Sequence, residues 1–149
     1  MLAHALLAFI VLPGIFAIAV PVNWLMASSH TQMVQPLGLI PWVAGFLGLL
    51  WCARDFYVSG KGTLAPWAPP RRLVVVGFYR YTRNPMYLSV VLLLLGWAVA
   101  FHSLGLSVYA VVLAAMFQVR VVLGEEPWLA RAHGKSWEEY SRRVPRWLW

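Results

Sequence analysis

Residues 86–122 read MYLSVVLLLLGWAVAFHSLGLSVYAVVLAAMFQVRVV and decide the fold. Two apolar stretches, about residues 86–101 and 104–122, are separated only by His102 and Ser103. Each comes close to the roughly 20 apolar residues that a helix needs to cross about 30 Å of hydrocarbon. We therefore expect two antiparallel membrane helices joined by a tight turn.

Two further apolar stretches precede this hairpin, at about residues 2–25 and 36–53. The first has neither a basic start nor a small-residue cleavage site, so we interpret it as a retained helix rather than a signal peptide. The second contains glycines such as Gly45, which favour close helix packing over phosphate binding. With 61% of the residues apolar and 11% charged, the composition is that of a membrane protein. We predict an all-α, polytopic fold in which residues 1–149 form a single membrane domain of about four transmembrane helices.

The positive charges predict the orientation. Residues 54–83 hold six of the twelve Lys and Arg residues, and residues 120–149 hold the other six. Residues 26–35 and the His102–Ser103 turn hold none. If successive helices cross the membrane in opposite directions, all Lys and Arg residues lie on the same side of it. The positive-inside rule then places both termini in the cytoplasm. The net charge of +7 then follows from topology, with the lipid bilayer as partner and no nucleic acid expected.

Cysteine and histidine usage argues against a metal site. Cys52 is the single cysteine, so the chain forms no internal disulfide or cysteine zinc cluster. The histidines lie far apart and show no ligand spacing, so we expect no bound metal.

Polar residues concentrate in two stretches, at about residues 60–87 and 120–146, which we predict to meet on the cytoplasmic face, with short C-terminal helices in the second. Asn84 is a good N-cap, and Pro85 fits the first turn of the third helix. The N-terminus of that helix is suited to an anionic group such as a ligand carboxylate. The alternative is that Asn84-Pro85 is only a helix start.

The second polar stretch begins where the fourth helix leaves the membrane. Glu125 and Glu126 lie there among cations, and ionisable groups at a membrane boundary are candidates for function. The alternative is a solvated helix surface. Further on, Gly134 is typical of a helix end, and Ser136 with Glu139 has the form of a capping box for a last helix.

The two polar stretches together carry a family pattern. It consists of Leu73-Val74-x-x-Gly77-x-Tyr79-x-x-x-Arg83-Asn84-Pro85-Met86-Tyr87, then Glu125-Glu126-x-x-Leu129, then Gly134-x-x-x-x-x-Tyr140. This combination resembles the isoprenylcysteine carboxyl methyltransferase family, which is related to membrane phospholipid methyltransferases. The chain departs from the family in two places: Asn84-Pro85 stands where His-Pro is usual, and His133 stands where a bulky aromatic residue is usual.

The resemblance implies that residues 60–87 and 120–146 form a cytoplasmic cofactor-binding region with a pocket for S-adenosylmethionine. Its cofactor-binding residues would be Leu73, Val74, Tyr79, Asn84, Pro85, Met86 and Tyr87. Glu125 or Glu126 would close the pocket from the second polar stretch, and Arg120 would face the substrate. These last three residues are the catalytic candidates. Without the resemblance, Arg120 is simply a positive-inside anchor.

These observations predict an integral membrane methyltransferase that uses S-adenosylmethionine and acts on a lipophilic acceptor, which is an isoprenylcysteine-like carboxylate or a lipid. A soluble methyltransferase would show a glycine-rich turn between a strand and a helix, and no such pattern is present. Arg120 would orient an acceptor carboxylate, or a Glu would accept the proton of an amine; the sequence does not choose between them. The alternatives are a sterol-type membrane reductase that uses NADPH, and a non-enzymatic scaffold or transport accessory. Oligomeric state is not specified by the sequence.

Overall fold

The computed structural model describes residues 10–28, 34–59 and 73–148. Two parts of the predicted organisation lie outside these ranges, namely residues 2–9 of the first helix and residues 60–72 of the cofactor region. Within the described ranges all regular structure is helical, and no strand is present. The predicted all-α class is therefore confirmed.

The helices of the described chain follow one another with short connections. The α-helices are α1, Val20–Ala27; α2, Leu39–Ser59; α3, Pro85–Ala100; α4, Leu104–Arg120; α5, Glu126–His133; and α6, Lys135–Arg143. A π-helical stretch, Ile10–Ala19, leads into α1, and a π-helical turn, Val121–Glu125, joins α4 to α5. Short 3-10 turns are formed by Pro36–Gly38 and Gly77–Arg80.

The predicted helix positions agree with the structure, but two of the predicted ends are too early. Helix α2 continues to Ser59 instead of ending near residue 53, and the helical chain after α4 runs on to His133 instead of ending near residue 122. The predictions ended where the apolar runs end, whereas charged residues do not by themselves stop a helix. Pro127 does not stop it either, because it lies in the first turn of α5, where its missing N–H costs no hydrogen bond.

In the part of the chain that the structure describes, two helical stretches are long and apolar enough to cross a membrane: Pro36–Ser59 with 24 residues and Leu104–His133 with 30 residues. Gly14–Ala27 and Pro85–Ala100 are apolar but shorter. At 1.5 Å per residue, α3 rises about 24 Å, which is less than the roughly 30 Å of a hydrocarbon core. The arrangement with four spanning helices therefore stays a prediction.

Helix α3 lies at the centre of the packing. Leu93 and Leu94 on α3 are fully buried and contact Leu49 of α2 and Leu113 of α4 in one apolar cluster. The outer faces of the neighbouring helices remain apolar as well, and Val111 on α4 is 67% exposed. An apolar outer surface of this kind is what a lipid environment requires.

Helices α2 and α3 approach each other at glycines. A Cβ added to Gly45 would lie 2.6 Å from both the Leu93 N and the Ser89 O, and a Cβ added to Gly96 would lie 2.5 Å from the Trp42 N. These distances are shorter than any real side-chain contact, so the two backbones touch where side chains are missing. The prediction that Gly45 serves close helix packing is confirmed.

The connection between α3 and α4 is the tight turn expected from the sequence. His102 adopts a positive φ of 46°, and the Ser103 Oγ accepts a hydrogen bond of 3.3 Å from the Leu106 N–H at the start of α4. The hairpin prediction is thus confirmed within the described chain.

Two capping predictions are wrong. Asn84 precedes α3, but its Oδ1 accepts no cap hydrogen bond, and the side chain is oriented so that the Nδ2 donates to the Arg146 carbonyl at 3.0 Å. Helix α6 begins at Lys135, directly after Gly134, so Ser136 lies inside the helix and forms no capping box with Glu139. Gly134, with a φ of 49°, does end α5 as predicted.

Candidate active site

The start of α3 and the end of α4 meet in a hydrogen-bonded network. The Glu125 Oε1 accepts a hydrogen bond of 2.8 Å from the Arg120 Nε and another from the Tyr87 hydroxyl. The Arg120 Nε also donates to the Tyr87 oxygen at 3.1 Å. Three of the predicted site residues, from both polar stretches, are thereby brought into direct contact.

The π-helical turn makes this network sterically feasible. Arg120 and Glu125 are five residues apart, a spacing that a regular α-helix does not place on one face. A π-helical turn bonds residue i to residue i+5, so Val121–Glu125 aligns the two side chains. Tyr87 is fixed from the other side by stacking on Phe117, with ring centroids 4.3 Å apart.

Accessibility differs within the network. The Arg120 side chain is 55% exposed and that of Glu125 is 33% exposed. The guanidinium is therefore accessible to an anionic ligand without displacement of buried structure. The chemistry available here is orientation of an anionic group by Arg120 and uptake of a proton by Glu125.

Glu126 has different partners from Glu125. The Arg146 Nε and Nη2 donate to its two carboxylate oxygens at 2.8 Å each, and the Arg83 Nη1 lies 2.9 Å from its Oε1. The hydrogen bonds to Glu126 raise the pKa of Arg146 above its ordinary value. Arg83 also lies over the Trp137 ring, 5.6 Å from its centroid. Glu126 thus ties α5 to the start of α3 and to the C-terminal tail.

The C-terminal tail crosses the start of α3. The Thr82 Oγ1 donates to the Arg146 carbonyl at 3.1 Å, the same carbonyl that Asn84 contacts. The Arg83 N–H donates to the Pro145 carbonyl at 2.9 Å. Asn84, which stands where the family usually has His, is therefore 9% exposed and bonded to the tail.

The residues before α3 form the apolar wall next to this network. Val74 and Tyr79 are buried against Cys52 of α2, and Met86 packs on the same cluster. Leu73 packs instead on a cluster of Trp137, Tyr140 and Val144 in the C-terminal part of the chain. Pro85 is buried in the first turn of α3.

Tyr79 and Tyr140 link these two apolar clusters. The Tyr140 hydroxyl donates to the Tyr79 carbonyl at 2.8 Å. Burial is the main cause that raises the pKa of Tyr79 well above its ordinary value, and the carboxylates of Asp55 and Glu125 add to it. Burial likewise raises the pKa of Tyr140. Both phenols are therefore neutral near pH 7, so they can pack and donate but cannot act as bases.

Some residues of the site were missed by sequence reasoning. Arg83 belongs to the family pattern but received no role, although its place directly before Asn84 was a usable signal. Thr82 and Arg146 carried no signal, because the hydrogen bond between them spans 64 positions of the chain and depends on the path of the tail.

Comparison with known proteins bears directly on this arrangement. The family model described as phospholipid methyltransferase matches residues 38–136, which is more than half of the chain. The chain belongs to the phospholipid methyltransferase family. The resemblance inferred from the sequence is confirmed, and family membership supports a function of the membrane methyltransferase type. Together with the two helices long enough to span a bilayer, it indicates a membrane protein.

Two curated proteins are similar to this family member. The cobalt-zinc-cadmium resistance protein CzcN of Cupriavidus metallidurans is 29% identical over 115 residues, which cover 77% of this chain and 49% of CzcN. The Delta(14)-sterol reductase TM7SF2 of Mus musculus is 33% identical over 93 residues, which cover 61% of this chain and 22% of the reductase. The chain thus spans about half or less of these relatives. No solved structure gives a significant match.

Proposed function

We propose that this protein is an integral membrane methyltransferase that uses S-adenosylmethionine to methylate a lipophilic acceptor, either an isoprenylcysteine-like carboxylate or a lipid. The observation that carries the proposal is the network of Tyr87, Arg120 and Glu125 within a chain of the phospholipid methyltransferase family. This network joins the two polar stretches at one end of an apolar helix bundle. An acceptor held in the bilayer and a cofactor held in water would meet at such a boundary.

The proposed topology has four spanning helices, with both termini and residues 60–84 in the cytoplasm. The distribution of Lys and Arg supports it, because the turn at His102 and Ser103 has none while the opposite end carries all the cations of α4 to α6. The cofactor would then enter from the cytoplasm, and the acceptor would enter between helices from the bilayer.

The residues present fit S-adenosylmethionine. The first N–H groups of α3 receive no side-chain cap from Asn84, so they remain available to the carboxylate of a ligand. Val74, Tyr79 and Met86 offer an apolar wall for the adenosine part. The buried Nε of Arg83 has no hydrogen-bond partner within the described chain, so an unsatisfied donor lies near the start of α3. Glu125 would close the site from the π-helical turn after α4.

The bound cofactor supplies a methyl group that is already activated by a sulfonium. The chain's own residues need only align the acceptor with it and exclude water. Arg120 would hold an acceptor carboxylate by paired hydrogen bonds, and Glu125 would orient Arg120. For an amine acceptor, Glu125 would accept the proton that the nitrogen releases.

A methyl-transfer assay tests this proposal. Protein in lipid nanodiscs is incubated with methyl-labelled S-adenosylmethionine and, in separate reactions, a farnesylcysteine carboxylate and phosphatidylethanolamine. We expect label in the lipid fraction of one of them, and loss of that label in Arg120→Ala. Labelling in neither reaction and in no lipid of the source membrane would contradict the proposal.

A membrane reductase is the second candidate, because one similar protein is a Delta(14)-sterol reductase. This chain covers only 22% of that enzyme, so the candidate has weaker support. NADPH binding without binding of S-adenosylmethionine would favour it.

A further inference from the structure

Asp55, near the end of α2, is a buried acid that no part of the proposed mechanism uses. It is 4% exposed, and its Oδ2 accepts no hydrogen bond within the described chain. Its Oδ1 lies 3.4 Å from the Arg54 Nη1, but the Arg54 side chain is 65% exposed. A long contact to a solvated cation offsets little of the cost of burying a carboxylate.

The carboxylate of Asp55 lies against the backbone of Gly77. Gly77 has a φ of +58°, and a Cβ added there would collide with the Asp55 Oδ2. The same glycine lines a depression of about 320 Å³ together with Trp51, Phe78, Arg80 and Tyr81. The Asp55 Oδ2, which accepts no hydrogen bond from the described residues, therefore lies next to Gly77, a residue of the depression's lining that has no side chain.

Asp55 also adjoins the proposed cofactor site. It contacts Gly77, two residues before Tyr79, and it lies about one helical turn after Cys52, against which Tyr79 is buried. Glu125 and Glu126 each have an arginine at 2.8 Å. Asp55 has no cation at such a distance in the described ranges. It therefore differs from both glutamates, because one of its oxygens accepts no hydrogen bond there and no close cation balances its negative charge.

A buried carboxylate oxygen without a hydrogen-bond donor would be stabilised by a ligand group that has both N–H groups and a positive charge. S-Adenosylmethionine carries one such group, the ammonium of its amino-acid part; its sulfonium has charge but no N–H. We propose that Asp55 binds this ammonium group and so adds a cofactor-binding residue from α2 to those of the two polar stretches. The inference rests on the proposed function.

Calorimetric titration with two ligands tests it. S-Adenosylhomocysteine retains the ammonium, whereas 5′-methylthioadenosine keeps the adenine, ribose and sulfur but lacks the amino-acid part. In Asp55→Asn we expect affinity for S-adenosylhomocysteine to fall about 10- to 100-fold, the usual effect of losing a charged hydrogen bond. Affinity for 5′-methylthioadenosine is expected to stay within about twofold, since Asp55 would not touch the shared part.

Glu138→Gln is the matched control, because it removes one negative charge from an exposed position on α6 and should leave both affinities unchanged. Equal loss for both ligands in Asp55→Asn, or no loss for either, would overturn the inference. If the wild-type protein binds neither ligand, the proposed function itself fails.

A second measurement uses only the wild-type protein, so it does not depend on whether Asp55→Asn folds. Wild-type protein is titrated with S-adenosylhomocysteine and with its analogue that lacks only the α-amino group. We expect the analogue to bind about 10- to 100-fold more weakly. Equal affinities would overturn the role of Asp55, while the proposed function would stand.

Discussion

At the scale of single residues, two adjacent acids have different surroundings. Glu125 contacts Tyr87 and the exposed Arg120, whereas Glu126 is held between Arg83 and Arg146. Glu125 ends the π-helical turn and Glu126 begins α5, and the two successive side chains point to different neighbours. We expect the two acids to have separable functions, with Glu125 acting in the reaction and Glu126 in stability.

Glu125→Gln should lower kcat/KM for methyl transfer about 10- to 100-fold, because a neutral amide cannot make the charged hydrogen bond to Arg120 or accept a proton. The thermal unfolding temperature should change little, since the network is partly exposed. Labelled methyl transfer and thermal unfolding in the same nanodiscs check both, with Glu138→Gln as control. Unchanged kcat/KM would show that the network lies outside the reaction.

Glu126→Gln should lower the free energy of unfolding by about 1–3 kcal/mol, because two arginines would lose their charged acceptor. Arg83 and Glu126 side chains are only 14% and 17% exposed, so water compensates poorly. Denaturant unfolding in mild detergent measures the change. A variant as stable as the wild type but inactive would assign Glu126, rather than Glu125, to the reaction.

At the scale of helices, the contact between α2 and α3 depends on missing side chains. Gly45 faces the backbone of α3, and Gly96 faces the backbone of α2. Close approach of this kind increases van der Waals contact between helices, which is the main source of helix association where water is absent. The position of α3 in turn determines where Asn84 and Tyr87 lie.

Gly45→Ala should therefore destabilise the protein by about 1–3 kcal/mol, the usual cost of overfilling a packed contact. Gly124→Ala is the matched control, because nothing lies within 4 Å of a Cβ added there. Thermal unfolding of both variants in one lipid composition measures the difference. Equal stability of the two variants would contradict the close contact between α2 and α3.

The helices themselves were largely predictable, because apolar runs and turn residues are local signals. The start of α3 at Pro85 and the turn at His102 and Ser103 agree with the sequence. The absence of a side-chain cap from Asn84 could not be predicted, because the orientation of its side chain depends on a carbonyl 62 positions away. The burial of Asp55 could not be predicted either, since it depends on contact with a distant turn at Gly77.

At the scale of the whole molecule, charge is segregated along the helix axes. The cations of the described chain lie near the end of α2, before α3, and from the end of α4 onward, whereas the connection between α3 and α4 carries none. The apolar outer faces of α2 and α4 separate these two ends. The arrangement suits a bundle in a bilayer with its reactive groups at the cytoplasmic surface.

Cysteine labelling of intact cells tests this orientation. In a Cys52→Ser background, His102→Cys should react with a membrane-impermeant maleimide added outside, and Lys135→Cys should react only after the membrane is opened. Both positions are exposed, so a difference reports topology. The reverse pattern would contradict cytoplasmic termini.

Cofactor binding tests the central claim most directly. Purified protein in nanodiscs is titrated calorimetrically with S-adenosylmethionine, S-adenosylhomocysteine and NADPH. We expect saturable binding of the first two and none of NADPH, with weaker binding in Glu125→Gln. Binding of NADPH alone, or of none of the three, would contradict a methyltransferase.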